Sequence, residues 1–196
     1  MGETKRRIPG HYGDRLELFS TLQEGDVDAL FLGDSLTERY DLDSYFPNLT
    51  TANRGIDGDT VFGLLHRLDE SIAGVNPRVI VMLIGVNDVD AAPSQYPELL
   101  LEVRKRFPSI PLLCLSLLPV GGIYSDMNAD ILKANEIIRE EAETIGANYV
   151  DVHPCLCDDS GELCEDCTVD GVHLSPEGYR RLTLAIQPYL SRLLGR

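Results

Sequence analysis

Four short segments carry residues that can do chemistry together: Gly33-Asp34-Ser35-Leu36, Asn53-Arg54-Gly55, Gly85-Val86-Asn87-Asp88 and Asp170-Gly171-Val172-His173. A serine hydroxyl is a poor nucleophile at neutral pH and needs an adjacent base. His173 can be that base, because histidine titrates near the working pH. Such a base needs a partner that fixes its tautomer and stabilises the imidazolium. Asp170, three residues before His173, can reach the ring. The oxyanion formed when an ester carbonyl is attacked needs donors aimed at it. Ser35 and Gly55 can offer backbone N–H groups, and Asn87 its side-chain amide. Glycine at position 55 lets the backbone approach a substrate closely.

Each residue also has a plainer use. Ser35 alone could cap a short helix, and Asn87 could be an ordinary turn residue. Asp34 suits organising its turn, and Asp88 suits holding its own loop by hydrogen bonds. Three other histidines compete for the base role. His66 sits in a helical pattern, His11 precedes the first helix, where it could cover the site, and His153 follows an apolar run at the right edge. His173 is preferred for its nearby aspartate and the helix start behind it. Arg54 and Arg67 could meet an acidic substrate, but in so acidic a chain pairing with carboxylates is the better reading. The acidic stretch from Asp158 to Asp166 lacks the EF-hand spacing and reads as a solvated loop.

The elements that must position these residues alternate between short apolar runs and amphipathic stretches. Strands are expected at Val27–Leu32, Leu49–Asn53, Val79–Ile84, Leu112–Leu118 and Ala147–Val152. Val79–Ile84 is almost continuously apolar and β-branched, as a strand covered on both faces reads. Helices are expected over residues 12–23, 59–73, 97–107, 128–145 and 175–194. Asp59 is placed to cap the second, Gly146 to end the fourth, and Ser175-Pro176 to open the last. Alternating strands and helices imply α/β architecture, a parallel sheet with helices on both faces. The chemistry in such a sheet lies beyond the carboxyl ends of its strands, which is where the four segments fall.

The chain has 196 residues, enough for one domain spanning 1–196 and for a real core. No internal repeat, low-complexity tract or linker divides it. With 17 Lys+Arg against 32 Asp+Glu, its net charge is −15. That argues against binding nucleic acid or anionic membranes by charge. No stretch has the 18 or more apolar residues of a membrane span. Met1–Gly10 is basic but has no apolar segment behind it, so it is not expected to be a secretory signal. Met1-Gly2 opens like a myristoylation site, but Arg6 stands where Ser or Thr belongs. A cytoplasmic location is the resulting expectation.

The four segments, in this order and each after a strand, resemble the SGNH hydrolases, also called the GDSL esterase and lipase family. The resemblance runs from Phe31 to the last helix. The longer run Asn53-Arg-Gly-Ile-Asp-Gly-Asp-Thr60 is similar to the branch of platelet-activating-factor acetylhydrolase-like and lysophospholipase-like esterases. The resemblance implies Ser35 as nucleophile, His173 as base, Asp170 as its partner, and Ser35, Gly55 and Asn87 as oxyanion donors. It also implies a flavodoxin-like sandwich with strand order 2-1-3-4-5, and no cofactor or metal. The chain order Ser, Asp, His also fits α/β-hydrolases, but those place the serine in Gly-x-Ser-x-Gly, and Leu32-Gly-Asp-Ser-Leu36 does not. The expected activity is hydrolysis of small O-acyl esters, O-acetyl first, through an acyl-enzyme. Lysophospholipase or thioesterase action on longer chains is the alternative. A non-catalytic module that keeps the fold would show a damaged triad. A flavin or nucleotide binder would need a phosphate-cradling loop, and Gly33-Asp-Ser-Leu-Thr37 places an acid there.

The resemblance leaves Cys155, Cys157, Cys164 and Cys167 unexplained. Their spacing leaves open a tetrahedral zinc, disulfides or free thiols. Cys114 lies in an expected buried strand and reads as inert core. The loop Pro119–Tyr124 has glycines that would permit closure over a substrate, and that equally suit a surface turn.

Overall fold

The computed structural model of the protein describes residues 10–22 and 24–196. The readings of the first nine residues as neither signal nor acylation site, and of Gln23 as the end of the first helix, lie outside them.

Five strands form one sheet: β1 (Gly25–Gly33), β2 (Thr51–Gly55), β3 (Val75–Leu83), β4 (Leu112–Leu115) and β5 (Asn148–Val150). Every pairing is parallel and the order is β2-β1-β3-β4-β5. Helices cover both faces, so the central strands are apolar over most of their length. Every residue of Val27–Gly33 and of Val79–Leu83 is buried, Asp28 being the one charged side chain among them. The chain runs one way from β1 to β2 and the other way from β3 onward. The resulting switch point, between β1 and β3, is where sheets of this kind leave a crevice. Gly33 pairs with both Gly55 and Leu83, so the segments after β1, β2 and β3 leave the sheet at one level.

The helices are α1 (Gly10–Thr21), α2 (Ser35–Glu38), α3 (Leu42–Tyr45), α4 (Val61–His66), α5 (Leu68–Ile72), α6 (Ala92–Arg106), α7 (Asn128–Thr144) and α8 (Pro176–Leu194). Ser175 caps α8 as expected, its hydroxyl accepting the Gly178 N–H at 3.2 Å. The stretch expected as one helix from 59 to 73 is two. Thr60 rather than Asp59 caps the first, accepting the Gly63 N–H at 3.0 Å. The break falls at Arg67, whose side chain turns into the protein and makes hydrogen bonds that a surface position could not supply. β3 starts earlier than its apolar run, at Val75, and carries Pro77 within it. β4 stops at Leu115, short of the expected Leu118. Beyond it the buried backbone is met by a side chain. Asn135 of α7 accepts the Leu117 N–H at 2.6 Å and donates to the Leu117 carbonyl at 3.0 Å.

Candidate active site

Ser35 is the first residue of α2, immediately after β1, and is 2% exposed. Asp34 caps that helix, its Oδ1 accepting the Leu36 N–H at 3.0 Å. It therefore organises the turn, as its position suggests. Its Oδ2 is buried and meets no partner among the described residues. Burial pushes the Asp34 carboxyl up to about 7, opposed by the N–H groups of Leu36 and Gly85 and reinforced by the Asp59 and Asp88 carboxylates.

His173 comes from the far end of the chain. Its Nε2 lies 3.0 Å from Ser35 Oγ, and its Nδ1 lies 2.6 Å from Asp170 Oδ2. Asp170 Oδ1 accepts the backbone N–H groups of Val172 and His173 at 3.0 and 2.8 Å. Partial burial would raise this carboxyl. The hydrogen bonds from the His173 ring and from the two backbone N–H groups outweigh it and hold Asp170 down to about 2. The aspartate is thus ionised at any working pH and can stabilise an imidazolium.

The rival histidines are engaged elsewhere. His153 is buried, with its Nδ1 3.3 Å from Cys157 Sγ, and burial lowers its pKa. His66 contacts the Phe62 carbonyl one turn back at 2.8 Å, and His11 meets Glu38 Oε1 at 2.8 Å.

Asn87 stands on the short turn Val86–Asp88 after β3. Its side-chain amide donates to the Asp59 carbonyl at 2.8 Å, and a primary amide has a second N–H to give. Asp88 Oδ1 lies 3.5 Å from the Val61 nitrogen, a weak tether to α4. Burial raises Asp88 to about 6, against the Val61 N–H and with the help of the Asp59 carboxylate.

Gly55, offered by the sequence as an oxyanion donor, closes β2 beside α2. Its N–H is already engaged, donating to Asn53 Oδ1 at 2.9 Å. A Cβ there would fall 2.1 Å from the Glu38 nitrogen, so glycine is required for packing against α2. Gly58, in the turn that follows, is exposed with φ +73°, and its N–H meets no acceptor among the described residues. It directly precedes Asp59, the residue that holds Asn87.

Arg67 is the other residue whose role only the fold reveals. Its Nε donates to Asp59 Oδ2 at 2.7 Å and one Nη to the Gly33 carbonyl at 2.9 Å. It thereby ties the end of β1, just before Ser35, to the turn carrying Gly58 and Asp59. Tyr12 of α1 donates to the other Asp59 oxygen at 3.2 Å. Arg54 is fully buried and pairs with Glu24 at 2.7 Å. Both arginines pair with carboxylates, as the acidic composition suggested.

The four clustered cysteines are unpaired, and among the described residues no three His, Cys, Asp or Glu side chains gather in a way that could hold a metal. The zinc and disulfide readings of the cysteine loop therefore have no geometry behind them. Cys155 donates to the Val152 carbonyl at 2.9 Å, and burial pushes its thiol up to about 11. Cys114 is core, pushed up to about 12 by burial. The loop after β4 is tied at Val120 and Gly121. Asn128 brackets Val120, and the Gly121 N–H donates to the Gly171 carbonyl at 2.8 Å. Ile123 stands out from it at 89% exposure, beside an open cleft shared with Val169 and Asp170.

A serine, histidine and aspartate in line at the carboxyl edge of a parallel sheet define a hydrolase of carboxylic esters. The chain belongs to the GDSL-like lipase/acylhydrolase family, whose pattern matches residues 31–181, more than half of its length. It is 24% identical over 185 residues to the platelet-activating factor acetylhydrolase IB subunit beta homolog of Drosophila melanogaster, covering 89% of this chain and 82% of that one. A Streptococcus pneumoniae protein, provisionally described as a platelet activating factor, has a solved structure that superposes with TM-score 0.84 at 29% identity over 92% of each chain. The acetylxylan esterase Axe2 of Geobacillus stearothermophilus shares the fold, with TM-score 0.67 and 22% identity over 89% of this chain and 97% of that one. No helix among the described residues is long and apolar enough to cross a membrane.

Proposed function

We propose that this esterase hydrolyses small O-acyl esters, acetyl esters first, through an acyl-enzyme on Ser35. The observation that carries the reading is the line of contacts Ser35 Oγ, His173 Nε2, His173 Nδ1 and Asp170 Oδ2, at 3.0 and 2.6 Å. His173 takes the Ser35 proton as the oxygen attacks the ester carbonyl. The tetrahedral oxyanion is received by the Ser35 N–H, the free N–H of Asn87 and the Gly58 N–H, which takes the place first assigned to Gly55. His173 then gives its proton to the leaving alcohol. It next activates water to release the acid and restore Ser35. No step calls for a cofactor.

We take residues 1–196 as one catalytic domain. Axe2 is an acetylxylan esterase, and that likeness supports acetyl groups on a sugar as the first substrates to try. One feature favours a second reading. Ile123 and Val169, both exposed at the cleft beside Asp170, could hold a longer acyl chain. A p-nitrophenyl ester series from acetate to palmitate, with wild type and Ser35→Ala, separates the two. Activity that falls with chain length and is absent in the variant supports the acetyl reading. A maximum at long chains moves the substrate to lipids. Equal activity in variant and wild type contradicts both.

A further inference from the structure

Asp170 and His173 sit on a loop that contributes little to the core, yet their geometry is tight. The loop runs from Thr168 to Leu174, which face each other across an isolated antiparallel bridge. Within it the half-buried Thr168 hydroxyl uses its whole hydrogen-bonding capacity, one donor and two acceptor sites. It donates to the His173 carbonyl at 2.9 Å. It accepts the Gly171 N–H at 2.8 Å and the Asp170 N–H at 3.3 Å. The Val169 N–H adds a second bond to the His173 carbonyl at 3.0 Å. One side chain thus grips the backbone of the aspartate, of its neighbour and of the base.

We propose that Thr168 is a positioning residue that sets the separation and orientation of Asp170 and His173 through these three hydrogen bonds. The proposal rests on the serine-esterase reading above and deepens it. The Asp170 carboxylate is bonded only within the loop, to the His173 ring and to the N–H groups of Val172 and His173. Nothing in that set fixes the loop's span. Thr168 does, by joining its start to the backbone at positions 170, 171 and 173. Valine has nearly the same shape but none of the polar capacity, whereas serine keeps the hydroxyl and loses only a methyl.

The test compares Thr168→Val, Thr168→Ser and Ser35→Ala with wild type on p-nitrophenyl acetate, with thermal melts alongside. A misplacement of about 1 Å costs on the order of 10²-fold in rate. Thr168→Val should therefore lose roughly 10- to 100-fold in kcat with KM little changed, and Thr168→Ser should recover most of it. A Thr168→Val enzyme with wild-type kcat overturns the proposal, as does a loss that serine fails to rescue or that falls on KM. If Thr168→Val does not fold, amide exchange in the wild type decides. The Gly171 N–H should be protected by the hydroxyl, and the Thr168→Ser protein should preserve that protection. Fast exchange at Gly171 in the wild type overturns the proposal. If Ser35→Ala keeps wild-type activity, the catalytic reading itself fails and the role assigned to Thr168 falls with it. If Ser35→Ala is inactive and Thr168→Val is not impaired, only the Thr168 proposal fails.

Discussion

Ser35 and His173 are 3.0 Å apart, but they stand on different kinds of ground. Ser35 follows a fully buried strand end, and the segments around it are bound to one another inside the protein. Arg67 reaches the Gly33 carbonyl and Asp59, Asp59 holds Asn87, and Asp34 is sealed beneath the nucleophile. His173 and Asp170 lie on a half-exposed loop whose bonds are almost all within a few residues. Ser35 and Asn87 are thus held by buried elements, and His173 is held by local hydrogen bonds. Damage on the first side should be felt as lost stability, and on the second as lost rate in a folded enzyme.

The sharpest contrast comes from His173→Ala. Its kcat on p-nitrophenyl acetate should fall by about 10⁴-fold or more. The melting temperature should stay close to wild type, because the ring supports little packing. Arg67→Met should do the reverse. Removing one partner of a buried ion pair costs about 3–5 kcal/mol, and Asp59 would be left buried with only Tyr12. Urea unfolding should register that loss, and the residual folded enzyme should still be labelled at Ser35. Asn87→Ala lies between the two. Its kcat should fall about 10²- to 10³-fold, as for loss of one oxyanion donor, with a small change in stability.

The smallest effect concerns pH. Burial raises Asp34 to about 7, so between the ordinary carboxylate range and pH 7 the folded state holds a proton that the unfolded chain has lost. Stability should therefore fall as pH rises from about 4 to 7. Asp88, raised to about 6 chiefly by burial, acts in the same direction over a narrower window. Asp170, held down to about 2, acts oppositely, adding stability as pH rises from about 2 to 4. Asp34→Asn should flatten, without abolishing, the decline in melting temperature between pH 4 and 7. An unchanged slope would place the titrating group elsewhere.

The same contrast governs how far the sequence could be read. Val79–Ile84 was legible as a strand because both of its faces are buried, and Ser175-Pro176 as a helix start because capping is local. The pairing of Asp170 with His173 was legible from residue type and short spacing, and Ser35 from its place directly after a strand. The break between α4 and α5 was not, because Arg67 leaves the helical pattern for partners at positions 33 and 59. The engagement of the Gly55 N–H was not legible for a similar reason. Its acceptor is the side chain of Asn53, and its packing partner is Glu38 on another element. Thr168 escaped notice because threonine in a loop has many ordinary uses.

The central claim is that Ser35 is the nucleophile that His173 activates. A fluorophosphonate that traps activated serines, followed by intact-mass and peptide analysis, tests it most directly. One adduct per chain is expected, on the peptide containing Ser35, with none in Ser35→Ala and much slower labelling in His173→Ala. An adduct on another residue, or labelling of Ser35→Ala at the wild-type rate, would contradict it.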